Sequence, residues 1–363
     1  MFRKPTFAPV LATSLLMIAV LLATGVPSAS AASRGSLKVM TQNLYQGTEL
    51  ANTLAAKDQA SFLAGVATDY NNVVATNFPE RADAIAAEIA RSNPALVGLQ
   101  EVALWQTFPV NRFGQPTGAP TPTYDFLKIL LDSLSARGLH YVTAVQRANF
   151  TANGVGLFSS GLLGVSFTER LAILARSDVV ISNAQNVGYL AAIPVTPAVG
   201  PTLSIGSGAV WVDATVKGDA FRFITTHLSA LTLTTGVQTQ QMNELLAGPA
   251  VTTTLPVVLA GDFNTTPTGA AYMAALGAGF TDVWTEAHDD ANGHTAFQVL
   301  PTINNPTSNL SVRIDYVLAK GGIDSEHAHL VGNTPAARTP SGLWPSDHAG
   351  VVASVKTIER EDR

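Results

Sequence analysis

The sequence predicts an α+β fold in which two β-sheets pack against each other and helices cover their outer faces. Its 363 residues contain many short apolar runs of strand length, separated by helical stretches and by loops rich in Gly and Pro. Strand-like runs outnumber helical ones, and the two do not alternate regularly as they would in a parallel α/β sheet. Because no repeat or low-complexity linker interrupts the pattern, we expect one domain spanning residues 36–358.

The composition excludes several classes of protein. A hydrophobic content of 47% with only 13% charged residues supports a large core and argues against a disordered or coiled-coil chain. The sequence has no cysteine, which excludes disulfides, thiolate zinc sites, iron–sulfur clusters and cysteine nucleophiles. The formal net charge of −5 disfavours nucleic-acid binding through a broad basic surface.

The N-terminus predicts a secretory signal peptide over residues 1–31. Arg3 and Lys4 precede an apolar run from Ala8 to Gly25, and Ala29-Ser30-Ala31 fits an A-x-A cleavage site. A membrane anchor is the alternative, because the run is nearly long enough to span a bilayer. The small residues after the run favour cleavage, which would change the formal net charge from −5 to −7. We therefore expect a secreted protein, extracellular or periplasmic.

The apolar pattern then predicts the elements in chain order. The amphipathic stretch Pro79–Ser92 is a helix that Asn93-Pro94 ends, and Tyr124–Ala136 is a second helix that stops at Gly138. Phe108–Pro122 is a loop. Further helices are predicted at Gln238–Ala247 and Ala270–Leu276. Strands are predicted at Leu37–Leu44, Ala95–Leu99, Leu171–Ala175, Ala209–Val216, Phe221–Thr226, Pro256–Ala260, Val312–Leu318 and Gly350–Val355.

Polar residues interrupt or follow the first of these strands. Asn43 lies at the end of the first strand, Glu101 follows the second, and His227 closes the Phe221–Thr226 run. Each has an ordinary structural interpretation: a backbone hydrogen bond from Asn43, a solvated Glu101, and a hydrogen-bonded core histidine.

The later strands carry a second group of polar residues. Asp262 and Asn264 lie two apart after Pro256–Ala260, so in extended chain they share a face, although an Asx turn is equally compatible. Asp315 lies inside an apolar strand, where an unpaired carboxylate is costly, so it needs a partner. Arg313 or a histidine could supply that partner. Asp347 and His348 stand together before the last strand, in an exposed turn or in a site.

Taken together, these residues suit phosphoester chemistry. Asn43, Glu101, Asp262, Asn264 and Asp347 offer oxygen ligands and no sulfur, which suits a hard cation such as Mg²⁺. His227 and His348 titrate near neutral pH. Cleavage of a phosphoester needs charge neutralisation, an aimed water and a protonated leaving group, and this set of side chains can provide all three.

The order of the motifs resembles the endonuclease/exonuclease/phosphatase superfamily. TQNLY, LQEV, THL, GDFN, RIDYVL and SDHAGV run in that order from residue 41 to residue 351. Members of the superfamily include DNase I-like nucleases, apurinic endonucleases, inositol polyphosphate phosphatases and secreted bacterial sphingomyelinases. The resemblance implies a DNase I-like four-layer α-β-β-α sandwich and a hydrolase that uses a divalent cation, Mg²⁺ or alternatively Mn²⁺ or Ca²⁺.

The resemblance also implies roles for single residues. Asn43, Glu101 and Asp347 would form the metal side of the site, with Glu101 the main carboxylate ligand. Asp262 would orient or deprotonate the attacking water, and Asn264 would hold a phosphate oxygen. His227 would protonate or stabilise the leaving oxygen. His348, aligned by Asp315, would face the scissile phosphate.

One motif departs from the family pattern. Many nucleases of the group carry an acidic residue just after the first-motif Asn, whereas Leu44 and Tyr45 follow Asn43 here and Glu49 comes only later. The resemblance therefore does not imply a second metal position. Arg170 lies where members of the family often have a basic residue that contacts phosphate. The alternative interpretation is that Arg170 pairs with its neighbour Glu169.

The motifs identify the bond that is broken better than the substrate. We expect a monomer that hydrolyses a phosphodiester or a phosphomonoester; an extracellular nuclease of the same fold and a catalytically inactive binding protein are the alternatives. The negative charge does not favour nucleic acid as substrate. The uncharged, Gly-rich segment from Ala148 to Thr168 predicts a hairpin over the core, or a lip that contacts lipid or another apolar substrate.

Overall fold

The computed structural model describes residues 1–2, 36–200, 202–230, 235–288 and 292–357. The described residues from Ser36 to Thr357 belong to one compact unit. The predicted signal peptide lies outside the described residues except for its first two. Among the helices described, none combines the length and the apolar composition needed to cross a membrane.

The helices and strands of the described residues are as follows. The helices are α1 (Ala51–Leu54), α2 (Gln59–Ala75), α3 (Phe78–Ser92), α4 (Phe126–Ala136), α5 (Thr235–Ala247), α6 (Ala270–Gly277) and α7 (Val283–Ala287), with a 3-10 turn at Pro335–Ala337. The strands are β1 (Leu37–Asn43), β2 (Leu96–Gln100), β3 (Leu104–Phe108), β4 (Thr121–Asp125), β5 (Tyr141–Phe158), β6 (Gly161–Arg176), β7 (Val180–Gly188), β8 (Ile193–Val195), β9 (Leu203–Ile205), β10 (Gly208–Val216), β11 (Asp219–His227), β12 (Val257–Asp262), β13 (Thr281–Asp282), β14 (Asp315–Lys320), β15 (Ile323–Val331) and β16 (Gly350–Thr357).

Two large sheets form the centre of the molecule. The first runs β15-β16-β1-β2-β6-β3-β4, with β5 also paired to β6, and the second runs β13-β14-β12-β11-β10-β7. Strands β8 and β9 form a separate short ribbon. Neighbours are mostly antiparallel, but β1 and β2 are parallel in the first sheet, as are β11 and β12 in the second. In each sheet, therefore, two adjacent strands have their carboxyl ends side by side at the same end of the sheet.

Alternation along the strands divides the core into three layers of side chains. In β1, Val39 packs between the two sheets, whereas Met40 packs under α2, α3 and α4. In β11, Phe223 packs between the sheets and Ile224 packs under α5 and α6. Successive strand residues point to opposite faces, so both sheets are apolar on both sides. The predicted four-layer α-β-β-α sandwich is confirmed.

Most of the predicted elements are present, with shifts of a few residues at their ends. Two differences have a clear cause. Part of the predicted Phe108–Pro122 loop is strand, because β4 begins at Thr121 and pairs with β3 at the sheet edge, where a strand tolerates Pro122. The strand predicted from Val312 begins only at Asp315, because the backbone N–H groups of Ile314 and Asp315 both donate to Thr295 Oγ1.

The long helix α2 has no counterpart among the predicted elements. Its buried face contains Gly65, Ala67 and Asp69 beside larger residues, so its apolar periodicity is weak. A local signal was available at its start, where the Asp58 carboxylate accepts from the backbone N–H of Ser61 and the Ser61 hydroxyl accepts from the backbone N–H of Asp58. This reciprocal cap is a known helix start. The segment from Ala148 to Thr168 lies in the β5–β6 hairpin, as predicted.

Candidate active site

The second sheet places three of the predicted site residues in one row. His227, the last residue of β11, lies opposite Asp262, the last residue of β12, and Asp262 lies opposite Asp315, the first residue of β14. Gly261 allows the close approach at this point. Its φ is +149°, and a Cβ there would lie 2.1 Å from the carbonyl oxygen of Thr226.

The first sheet supplies Asn43 and Glu101 from the ends of β1 and β2. Asn43 pairs with Gln100, and Glu101 follows directly with a left-handed φ of 52°. The Asn43 Nδ2 donates to Glu101 Oε1 and to Asp262 Oδ2, each at 3.1 Å. One amide thus joins a carboxylate of the first sheet to a carboxylate of the second. Its Oδ1 accepts from the backbone N–H of Tyr45 at 2.8 Å, so a cation would have to use the remaining lone pair of that oxygen.

His348 lies between three carboxylates. Its Nδ1 is 2.8 Å from Asp315 Oδ2 and 3.8 Å from Asp262 Oδ2, and its Nε2 is 4.0 Å from Asp347 Oδ1. Burial opposes a charge on the ring, but these three carboxylates outweigh it and raise the pKa of His348 well above its usual value. The partner of Asp315 is therefore the histidine. Arg313 pairs instead with Asp282, at 2.5 Å.

His227 also has an acidic partner, the carboxylate of Glu169, which was not predicted from the sequence. Its Nδ1 lies 3.6 Å from Oε1 of the buried Glu169, and its Nε2 lies 3.6 Å from Asp262 Oδ2. Burial lowers the pKa of His227, but the Glu169 and Asp262 carboxylates more than compensate and raise it to about 9. The predicted pairing of Arg170 with Glu169 is wrong, because Arg170 Nη2 reaches Asp125 Oδ1 at 2.5 Å. Glu169 and Arg170 are consecutive residues of β6, so their side chains point to opposite faces of the sheet, and Glu169 is the one that faces the histidine.

Asn264 is placed beside His227. Its Nδ2 lies 3.0 Å from His227 Nε2 and donates to the Leu228 carbonyl at 2.9 Å. Its backbone N–H donates to Asp262 Oδ1 at 2.8 Å, and its φ is a left-handed 48°. A phosphate contact from the Asn264 amide nitrogen would require one of these bonds to be exchanged. An amide nitrogen is a donor, so protonation of His227 Nε2 would require the Asn264 amide to move away from the ring.

The carboxylates of the site repel one another. Burial, followed by repulsion from Asp315, raises the pKa of Asp262 to about 6. Burial, with repulsion from Glu101 and Asp262, raises the pKa of Asp347 to about 7. Partial desolvation, with repulsion from Glu101 and Asp347, raises the pKa of Glu49 to about 7, although this residue is exposed at the surface. The site therefore carries more negative charge than its own cations neutralise.

A divalent cation fits this donor set. The acidic side chains Glu101, Asp347 and Glu49 act on one another electrostatically, and carboxylate oxygens are the ligands that hard cations prefer. Asp262, Asp315 and His348 also have donor atoms within 4.8 Å of one another. That second group is less suited to a cation, because His348 Nδ1 is already hydrogen-bonded to Asp315. Asp315 Oδ1 is buried without a hydrogen-bond partner, which keeps this carboxylate available to the histidine as a charge.

A buried arginine supports the site from behind. Arg81 of α3 donates to the carbonyl oxygens of Leu44 and Tyr45, which follow Asn43, and to that of Pro345, which precedes the Asp347–His348 pair. Although it is charged, Arg81 is fully buried. Its residue type gave no signal, because the carbonyls it binds come from distant parts of the chain. For Glu169 a signal existed: a carboxylate inside an apolar strand needs a partner, as at Asp315.

The family follows from a comparison with known proteins. The model of the Endonuclease/Exonuclease/phosphatase family matches residues 40–348, which include every residue placed in the site. The chain belongs to this family. No curated protein matches the chain in a search of curated sequences.

Solved structures of the family have the same fold at low sequence identity. An endonuclease/exonuclease/phosphatase family protein from Bacteroides thetaiotaomicron has a TM-score of 0.60 and 17% identity, and the match covers 90% of this chain and 100% of that one. A mannosyl-6-phosphatase from the same organism has a TM-score of 0.54 and 19% identity, covering 88% and 100%. D. rerio TDP2, complexed with a single-strand DNA product, has a TM-score of 0.52 and 17% identity, covering 89% and 100%. The family members share a fold while differing in what they act on.

Proposed function

We propose that this protein is a divalent-metal-dependent hydrolase of phosphate esters that activates water for attack on phosphorus. The observation that carries the proposal is the position of Asp262 Oδ2, which accepts from Asn43 and lies within 4 Å of both His227 and His348. A carboxylate flanked by two imidazoles, each with its own acidic partner, provides one base and two proton donors in a single pocket.

Asp262 is suited to act as the base. With a pKa of about 6 it is mostly ionised at neutral pH and still basic enough to take a proton from water. The water oxygen forms a bond to phosphorus, and its proton passes to Asp262. Asn43 and the backbone N–H of Asn264 hold the two carboxylate oxygens in place during this step.

The two histidines are suited to act as charged donors. His348, kept protonated by Asp315, would donate to a non-bridging oxygen of the phosphate and stabilise its growing charge. His227, with a pKa of about 9, would give its proton to the leaving oxygen as the bond between that oxygen and phosphorus breaks. A cation held by Glu101 and Asp347, with Glu49 near, would supply charge neutralisation at the phosphate.

The substrate and the cellular location remain part of the proposal. The acidic balance of the chain favours a small or lipid-like phosphate ester over nucleic acid. The N-terminal apolar run with its A-x-A motif supports export. Membrane-surface contact and a monomeric state are further parts of this proposal.

The decisive experiment is a hydrolysis assay on bis(p-nitrophenyl) phosphate and p-nitrophenyl phosphate. Activity should require Mg²⁺, Mn²⁺ or Ca²⁺ and disappear in EDTA. His348→Ala should lose at least about 100-fold in kcat on both substrates, and His227→Ala should lose as much on an ester with an alkyl leaving group, because p-nitrophenolate departs without a proton. His140→Ala, which removes an exposed histidine, is the matched control and should keep full activity.

Two results would reject the proposal. Equal turnover by wild type and both histidine variants would remove the mechanism. Binding of a phosphate ester without any turnover, across all three cations, would favour the inactive binding protein instead. A parallel panel of single-stranded DNA, duplex DNA and RNA tests the nuclease alternative.

A further inference from the structure

A half-open apolar cleft lies next to the candidate active site. It has a volume of about 70 Å³ and lies between α1, α2 and the β5–β6 hairpin, with Leu203 of β9 at one side. Trp105, Phe167 and Tyr70 form one wall, with Trp105 stacked on Phe167 at 4.4 Å between ring centroids. This cleft takes no part in the chemistry proposed above.

The loop that follows Asn43 separates the cleft from the carboxylates. Gln46 connects the two sides: its backbone N–H donates to Glu101 Oε2 at 2.7 Å, and its carbonyl accepts from the Trp105 indole at 2.9 Å. Leu50 lines the cleft, and its neighbour Glu49 interacts electrostatically with Glu101. A molecule with its phosphate at the carboxylates would therefore need to cross only this loop to place another group in the cleft.

The lining of the cleft selects against polar groups. Asp69 is its acidic side chain, and both Asp69 oxygens already accept hydrogen bonds, from Thr48 and Asn52 on one side and from Thr53 on the other. Among the described residues, the buried side-chain polar atoms without a partner all lie outside the cleft. Apart from the exposed Asn153, the lining offers few free polar groups, so a sugar or a nucleobase would lose most of its hydrogen bonds to water there, whereas an alkyl chain has none to lose.

We infer that this cleft, defined by Leu50, Tyr70, Trp105, Ala152, Phe167 and Leu203, binds an apolar chain carried by the phosphate ester. The inference rests on the proposed function, because it places the phosphate at the carboxylate site. It deepens that function by naming the substrate class: esters that carry an alkyl substituent, rather than nucleotides or sugar phosphates. Each methylene group buried in the cleft should strengthen binding about fourfold.

The test compares two phosphodiesters with the same leaving group, methyl p-nitrophenyl phosphate and octyl p-nitrophenyl phosphate. For wild type, kcat/KM should be on the order of 50-fold higher for the octyl ester, the gain from burying about three methylene groups. Ala152→Phe fills the cleft and should reduce this ratio below about fivefold. Leu203→Glu should also reduce this ratio below about fivefold, because it introduces a charge into the apolar lining. Ala136→Phe, at an exposed alanine at the end of α4, should leave the ratio at its wild-type value.

A binding measurement separates failure of this inference from failure of the proposed function. Calorimetry with octylphosphonate and methylphosphonate measures the contribution of the cleft to binding affinity without any turnover. If neither ester is hydrolysed but octylphosphonate binds at least tenfold more tightly, and Ala152→Phe removes the difference, the cleft assignment is supported and the proposed function is wrong. If both esters are hydrolysed at equal kcat/KM and both phosphonates bind equally, the cleft assignment is overturned while the hydrolase stands.

Discussion

Asp315 and His348 form a buried pair in which Oδ2 of the carboxylate lies 2.8 Å from the imidazole Nδ1. The two residues are 33 positions apart and both are less than 5% exposed. Because the carboxylate is buried and its other oxygen has no hydrogen-bond partner, its charge acts on the histidine and on the neighbouring Asp262. The pair sets the protonation state of the ring that would face a phosphate.

Replacing the carboxylate should change the pH dependence of the reaction. Asp315→Asn keeps the size of the side chain but removes the charge that raises the pKa of His348, so that pKa should fall. The variant should lose activity as the pH rises through neutrality, in a range where the wild type keeps it. A profile of kcat against pH from 5 to 9 measures this shift. Asp324→Asn, at an exposed aspartate, is the control and should leave the profile unchanged.

Loss of the Glu169 charge should affect the leaving group selectively. Glu169→Gln should lower the pKa of His227, weakening its role as the proton donor to the leaving oxygen. The expected loss in kcat is about 10-fold to 100-fold for an alkyl leaving group and much less for p-nitrophenolate, which departs without a proton. Equal losses for both leaving groups would contradict the role given to His227. The exposed Glu326→Gln serves as the matched control.

Arg81 should matter to the stability of the fold. Its guanidinium donates to carbonyls from three separate segments, so Arg81→Met leaves several buried acceptors unpaired. We expect a loss of about 3 kcal/mol or more in the free energy of unfolding, measured by urea titration. Arg81→Lys should recover part of this loss. Arg112→Met, at an exposed arginine in the loop after β3, is the control and should cost less than about 0.5 kcal/mol.

The cation-free protein should become less stable as the pH rises. Asp262, Asp347 and Glu49 have raised pKa values of about 6, 7 and 7, and His227 has one of about 9. Between about pH 4 and pH 9 the folded protein therefore holds more protons than the unfolded chain, so the free energy of unfolding falls with rising pH. In EDTA we expect the Tm to fall by about 5 °C or more between pH 5 and pH 8.5.

The same experiment with a divalent cation gives the complementary result. Mg²⁺ or Mn²⁺ should restore the Tm at pH 8.5, where the carboxylates are ionised, and change it little at pH 5, where protons compete for the same oxygens. A Tm in EDTA that rises from pH 5 to pH 8.5 would show that the carboxylates do not repel one another in the folded protein.

Local patterns in the sequence were sufficient for much of the fold. The apolar runs that became β1, β2, β10, β11, β12 and β16 are readable because each strand is largely buried, so apolar residues occur on both of its faces. Helix α3 is readable because its buried residues recur at helical spacing. Helix α2 was not readable, because small and polar residues occupy part of its buried face.

In the candidate site, too, some features could be predicted from the sequence and others could not. Asn43, Glu101, His227, Asp262, Asp315 and His348 stand out in the sequence because polar side chains at the ends of apolar strands are unusual. Which of them pair depends on strand order, and strand order depends on contacts between distant parts of the chain. The sequence allowed Arg313 or a histidine as the partner of Asp315, and the packing of the two sheets places His348 beside it.

The sequence by itself determined the residue types of the site, the strands that carry them and the family, because these are properties of local pattern and motif order. Only the tertiary structure decided that Glu169 faces His227, that Arg81 is buried behind the strand ends, and that an apolar cleft lies across one loop from the carboxylates. The physical reason is that burial and electrostatic partnership arise between segments that are far apart in the chain and meet only when the two sheets pack.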